Sequence, residues 1–275
     1  MSAHAGPDRL LQRLLGTLGL PRTVKVDRVT YRERSAEPLS RALSSKGTGS
    51  KDYEVRFPDA ERMLIRCTRT RVYDDLVGDR TPTSIRAIEP VVRPGMRVLV
   101  CPGGTGALGA RVARLVGPSG AVVSLEGDDE SVQFATRRYP LSNVAYEKGK
   151  TRDIGGETNG AFDAAIIAFS DETEEQAAGA LAEALRIVQG GGWVLVRAEG
   201  RVVDDSGRGV AADNRALVRH AIEAAAGEDS GAPASNRIDA LRWLEEPTGT
   251  PAVLISLRSD LPFHRSDLDD EFSDD

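Results

Sequence analysis

Two cysteines, three histidines and an aromatic share of 5% leave this 275-residue chain little material for several common chemistries. Cys67 and Cys101 stand far apart and in no metal-ligand spacing, so a disulfide-stapled scaffold and a cysteine-based metal centre are both excluded. His4, His220 and His264 are scattered, no Ser/His/Asp or metal constellation can be assembled around them, and no metal is expected. Trp193 and Trp243 fall in strand-like patterns and read as core residues rather than base-stacking platforms. No apolar run approaches the roughly 20 residues that a membrane-spanning helix needs. The best, Val98–Cys101 and Val194–Val196, are strand-sized. Met1–Arg9 has no apolar core of the kind a secretory leader carries, so a soluble cytoplasmic protein is expected.

What is present divides unevenly. The first 90 residues hold 17 Lys and Arg against 12 Asp and Glu, whereas the remainder holds 19 against 30. In the basic part, Leu10, Leu11, Leu14, Leu15 and Leu18 recur at helical spacing before Gly19 and Pro21. Val24, Val26, Val29 and Tyr31 suggest a strand, Ser35–Ser50 a polar loop, and Tyr53–Phe57 and Met63–Cys67 two more strands. A small α+β extension over residues 1–80 is the expectation.

From Thr81 the pattern becomes regular. Thr81-Pro82 opens a helix running to about Val92, and the strand Arg97–Cys101 follows Arg93-Pro94-Gly95. Then helices near 106–116, 130–138, 172–188 and 211–226 alternate with strands at 121–126, 144–147, 162–169 and 193–198. Gly190-Gly191-Gly192 is read as the stop of the third of these helices. Short apolar strands alternating with helices predict a doubly wound α/β fold, mostly parallel and covered on both faces. Asp239–Glu245 and Ala252–Arg258, flanking a Pro- and Gly-containing turn, predict a terminal antiparallel hairpin. The domain is placed at 81–260, and an acidic tail too apolar-poor to pack at 261–275.

The chemistry concentrates in Val98-Leu99-Val100-Cys101-Pro102-Gly103-Gly104-Thr105-Gly106-Ala107-Leu108-Gly109. A buried strand runs into glycines and then a helix, whose first N–H groups face negative charge. The next strand ends in Glu126, at the spacing where a carboxylate accepts the hydroxyl protons of a ribose. A nucleoside-containing ligand follows. Gly104, Gly106 and Gly109 formally satisfy the dinucleotide fingerprint, which leaves a nicotinamide-dependent oxidoreductase as one alternative. Against it, the only Tyr-x-x-x-Lys spacing, Tyr146 to Lys150, lies too near the glycines to serve as the carbonyl-polarising pair of short-chain dehydrogenases.

Over Thr81–Arg258 the chain resembles the class I S-adenosylmethionine-dependent methyltransferases. The resemblance rests on Arg93–Leu99 leading into the glycine turn and on Gly117–Val123 leading to Glu126. Phe162–Ile166 and Ala184–Gly192 add to it. It implies a Rossmann-like sheet of seven strands, the last two forming the hairpin, and S-adenosylmethionine as cofactor. By position it assigns Gly103, Gly104, Thr105 and Gly106 to the methionine part of that cofactor. Glu126 would take the ribose, flanked by Gly127 and Asp128. Lys150 and Thr151 would lie near the adenine, with Ala168, Phe169 and the residues to Asp171 along the reactive side. Asp171 is the candidate general base, and equally a cap for the helix that follows. The chain departs from the pattern in three places. Val100 stands where an acid is usual, Pro102 where a glycine is usual, and Lys150 where an acid is common. These departures keep open a catalytically silent binding or scaffold protein.

The acceptor is less legible. Tyr73-Asp74-Asp75 with Thr81–Ser84 resembles protein isoaspartate methyltransferases, and Gly117–Glu126 resembles transfer-RNA adenine-N1 methyltransferases. Neither likeness extends through the extension. Arg62, Arg66, Arg69 and Arg71 form either a phosphate-binding strip or an ordinary solvated face. The basic extension puts RNA or protein ahead of small metabolites as methyl acceptor.

Overall fold

The computed structural model describes residues 23–26, 28–33, 50–68, 88–150, 154, 159–169, 173–198, 214–226, 237–245 and 251–259. The leucine helix at 10–18, nearly all of the 35–50 loop, residues 69–87 with the Thr81 cap, Thr151, Ser170, Asp171, the 246–250 turn and the acidic tail lie outside these residues.

Two sheets are built. Strands β1 (Thr23–Val26), β2 (Val29–Glu33), β3 (Ser50–Arg56) and β4 (Arg62–Thr68) pair antiparallel in chain order. The expectation of one strand over Val24–Tyr31 is corrected here. Val26 pairs with Val29 in a hairpin, and Arg28 takes the turn at φ +71°. The apolar alternation had already switched parity between Val26 and Val29, as a turn of two residues between paired positions requires. One face of this sheet carries Val29, Tyr31, Tyr53, Val55, Phe57 and Ile65, all buried against Phe134 of the main domain. Tyr31 and Phe57 meet the Phe134 ring tilted, at 6.2 and 6.1 Å between centroids.

The main domain runs β5 (Arg97–Cys101), α1 (Ala107–Val116), β6 (Ala121–Glu126), α2 (Asp129–Arg138), β7 (Val144–Lys148), β8 (Phe162–Phe169), α3 (Glu174–Ile187), β9 (Val188–Ala198), α4 (Asn214–Ala226), β10 (Ile238–Glu245) and β11 (Pro251–Leu257). Its seven strands lie in the order β10-β11-β9-β8-β5-β6-β7. β5 to β9 pair parallel with one another, β11 runs antiparallel beside β9, and β10 and β11 are the antiparallel hairpin predicted from the sequence. Successive residues of a strand face opposite layers. Leu99, Ile167, Val194 and Val196 therefore pack with α3 and α4, while Val98, Val100, Ile166 and Leu195 pack with α1 and Ile88.

The glycine stop at 190–192 is also corrected. Those residues belong to β9, which shifts register against β8 between Phe162 and Ala164. Gly191 sits at φ +79°, and a side chain on Gly192 would stand 2.3 Å from the Asp163 carbonyl oxygen, so the irregular strand needs glycine there.

Side chains finish several helix ends. Asn143 Nδ2 donates to the Ala113 and Gly117 carbonyls at 2.7 and 2.8 Å, closing α1. Thr173 and Gln176 form a reciprocal capping box on α3. At the other end of α3 the Arg237 guanidinium donates to the carbonyls of Leu185, Arg186 and Val188, and burial lowers its pKa.

Candidate functional site

The order of the main sheet reverses direction at β5, whose neighbours are β6 on one side and β8 on the other. A crevice opens at the carboxyl ends of strands at such a switch point, because the loops on either side leave toward opposite faces. The glycine turn, Glu126 and Phe169 all lie at that edge.

Three backbone links shape it. Gly103 N–H donates to the Leu125 carbonyl at 2.7 Å, and Gly149 N–H donates to the Glu126 carbonyl at 2.8 Å. The turn after β5 and the segment after β7 are thus both tied to the end of β6. The Gly106 N–H donates to the Gly103 carbonyl at 3.3 Å, tightening the turn ahead of α1. Gly104 and Gly106 adopt φ +76° and +82°, a region L side chains rarely occupy. Gly106 begins α1 without a side-chain cap, leaving the first amides of the helix to the turn side.

Close approach matters as much as backbone conformation. A β-carbon on Gly103 would stand 2.1 Å from Ser124 Oγ and 2.2 Å from Glu126 Oε1. On Gly106 it would stand 2.4 Å from the Ala135 β-carbon. The turn is therefore pressed against the end of β6 on one side and against α2 on the other.

Glu126 is fully buried, and Ser124, two residues earlier on the same face of β6, donates its hydroxyl to Oε1 at 2.9 Å. That bond uses one of roughly four acceptor positions on an ionised carboxylate and fixes its orientation. Sequence reasoning missed Ser124, although its signal was there: a polar residue, two before an acid, in an apolar strand.

The remaining predicted residues divide. Thr105 is buried in the turn, and Ala168 and Phe169 are buried at the end of β8, across β5 from Glu126. Gly127 is exposed. Asp128 is the N-cap of α2, accepting from Ser131 N–H at 2.7 Å. Lys150 is exposed just past the segment tied to Glu126. Thr151 and Asp171 lie outside the described residues. Pro102, where a glycine was the expected pattern, follows a cis peptide bond and is half-buried, and the turn still closes over Glu126. Val100 is completely buried in the apolar layer with α1.

Three further side chains border the site. The Tyr146 ring packs behind the turn, with its hydroxyl 3.5 Å from the Gly106 carbonyl oxygen, so this tyrosine supports the turn. Lys148 pairs with Asp129 at 2.8 Å, and that hydrogen bond and charge raise its pKa. Arg197 is buried on β9 beside Ala168. A single arginine inside the otherwise apolar run Trp193–Ala198 was its signal in the sequence.

Comparison with known proteins bears on this edge. Residues 101–196 match a family model described as a methyltransferase domain. The ubiquinone/menaquinone biosynthesis C-methyltransferase of Teredinibacter turnerae is 37% identical over 109 residues, covering 38% of this chain and 43% of that protein. Its counterpart in Shewanella pealeana is 32% identical over 108 residues, with the same coverage of 38% and 43%. The matched part of the chain thus spans about two-fifths of the length of these curated relatives. Among solved structures, a SAM-dependent methyltransferase from Aquifex aeolicus aligns with TM-score 0.47 and 18% identity over 67% of this chain and 95% of that one.

Proposed function

Since the chain carries a class I methyltransferase domain, we propose that it transfers a methyl group from S-adenosylmethionine, held at the carboxyl edge of β5 and β6. The observation that carries this reading is the meeting of the Gly103–Gly106 turn with the Glu126 carboxylate at one point of that edge. In this assignment Glu126, oriented by Ser124, accepts the ribose hydroxyls. The turn brings backbone close to the amino-acid end, and the uncapped start of α1 faces its carboxylate. Ala168 and Phe169 wall the side where transfer occurs. The cofactor supplies an already electrophilic sulfonium methyl, so the protein's share is alignment of the acceptor and exclusion of water. Asp171 is the proposed proton acceptor.

Fit is uneven along this edge. The ribose and turn sides have the groups the ligand needs. At the amino-acid side, Val100 offers no carboxylate for the ammonium group. That one observation sustains a second reading, a methyltransferase fold that binds without turning over. For the acceptor, RNA or protein is favoured over a small metabolite by the basic extension, and the names of the curated relatives supply the small-molecule alternative.

The test is transfer of labelled methyl from S-adenosylmethionine into separate RNA, protein and metabolite pools. Label in one pool supports the enzyme and identifies the acceptor class. S-adenosylhomocysteine binding with no label in any pool supports the silent reading. Binding of a nicotinamide dinucleotide in preference to either adenosyl compound overturns both.

A further inference from the structure

The extension's sheet has a second face, turned away from Phe134. Cross-strand partners share a face, and the register links Lys25 to Thr30, Thr30 to Arg56, and Arg56 to Arg62. One row across all four strands therefore carries three cations and no acid. At about 4.8 Å between strands the row is about 14 Å long. The adjacent row reads Thr23, Arg32, Glu54, Leu64. Lys25, Arg32, Arg56 and Arg62 are all exposed. Arg62 reaches Glu54 at 3.3 Å, and no ion pair engages Lys25, Arg32 or Arg56 among the described residues. One row further along β3 and β4 the register sets Asp52 opposite Arg66.

Arg56 and Arg62 are direct cross-strand partners. Like charges so placed oppose strand pairing, and a bound polyanion removes that cost. The rest of the chain is strongly acidic, with 19 Lys and Arg against 30 Asp and Glu after residue 90. A polyanion is therefore repelled by the domain at large and attracted to this face. The sheet is also coupled to the glycine turn by α2. Phe134 packs against the sheet, and the next residue, Ala135, packs against Gly106.

We infer that the outward face of the β1–β4 sheet binds the phosphate backbone of RNA through Lys25, Arg56 and Arg62, with Arg32 at its margin. The inference rests on the methyl-transfer reading for its biological sense and identifies RNA as the acceptor class. Three planar or flexible cations in a line match phosphates along one strand, a contact that is sequence-tolerant.

The test uses the full chain and a fluorescein-labelled unstructured RNA of about 30 nucleotides, read by anisotropy across a salt series. Three phosphate contacts predict a log affinity against log salt slope of about −2. K25Q/R56Q/R62Q is expected to bind at least about tenfold more weakly at low salt, with its slope collapsing toward zero. R219Q/R242Q, two exposed arginines elsewhere, is expected to bind like wild type. Thermal melting checks folding: removing the like-charge row should leave the midpoint unchanged or higher. Should the triple variant fail to fold, R56Q alone is expected to reduce the slope by about 0.7. Wild-type affinity in the triple variant overturns the inference. So does an absence of RNA binding by wild type, or preference for phosphatidylserine vesicles or an acidic protein. Titration with S-adenosylhomocysteine runs alongside. Retained cofactor binding without RNA binding removes the RNA surface only, and RNA binding without cofactor binding removes the methyl-transfer reading only.

Discussion

Gly103 lies between Ser124 and Glu126 with no room for a side chain. Gly103→Ala must push either the turn or the carboxylate out of place, and is expected to weaken S-adenosylhomocysteine binding by at least about tenfold, equivalent to about 1.4 kcal/mol. Calorimetric titration of the purified variant checks this; affinity equal to wild type would show that the close approach has no part in binding. Ser124→Ala separates orientation from charge. It leaves Glu126 in place but removes the donor that fixes Oε1, at a cost in unfolding free energy of about 1–3 kcal/mol. Denaturant unfolding reads that loss, and a several-fold weaker cofactor affinity should accompany it. Much of this site was legible beforehand, because glycines, a strand-end acid and their spacing are written in residue types. Ser124 and Arg197 stand out in the sequence as polar residues in apolar strands, but their roles do not, since these depend on which face of a strand they occupy and on what stands across it.

At the scale of elements, α2 joins three parts of the molecule. Asp128 caps its start, Phe134 supports the N-terminal sheet, and Ala135 abuts Gly106. Asp128→Ala is expected to destabilise the protein by about 0.5–2 kcal/mol through the lost cap. Phe134→Ala is expected to cost about 3–5 kcal/mol and to expose the sheet's apolar face. Hydrogen exchange would then rise first in β2, β3 and β4, and protection unchanged there would contradict the packing described. The alternation of strands and helices was readable because apolar runs and turn signals are local. Two element boundaries were not. The hairpin at Arg28 uses no Asn-Gly or Gly-containing turn, and the β9 glycines look like a helix stop while serving an irregular strand. Arg237 shows the same limit: its guanidinium finishes α3 from far along the chain, and only the folded path brings it there.

Across the whole molecule, a basic sheet and an acidic α/β domain are held together by an aromatic contact and by Arg137. That side chain stacks 4.8 Å from the Phe57 ring centre and pairs with Asp59 and Glu61. The charge division was plain in the sequence, whereas the row it forms depends on strand register. The proposed methyl transfer depends on the edge where β5 and β6 end. Calorimetry with S-adenosylhomocysteine on wild type and Glu126→Ala addresses that edge directly. Wild type should bind, and the variant should bind at least about tenfold more weakly while unfolding as a cooperative, folded protein. Absence of binding by wild type, or equal binding by both, would contradict the assignment of this site.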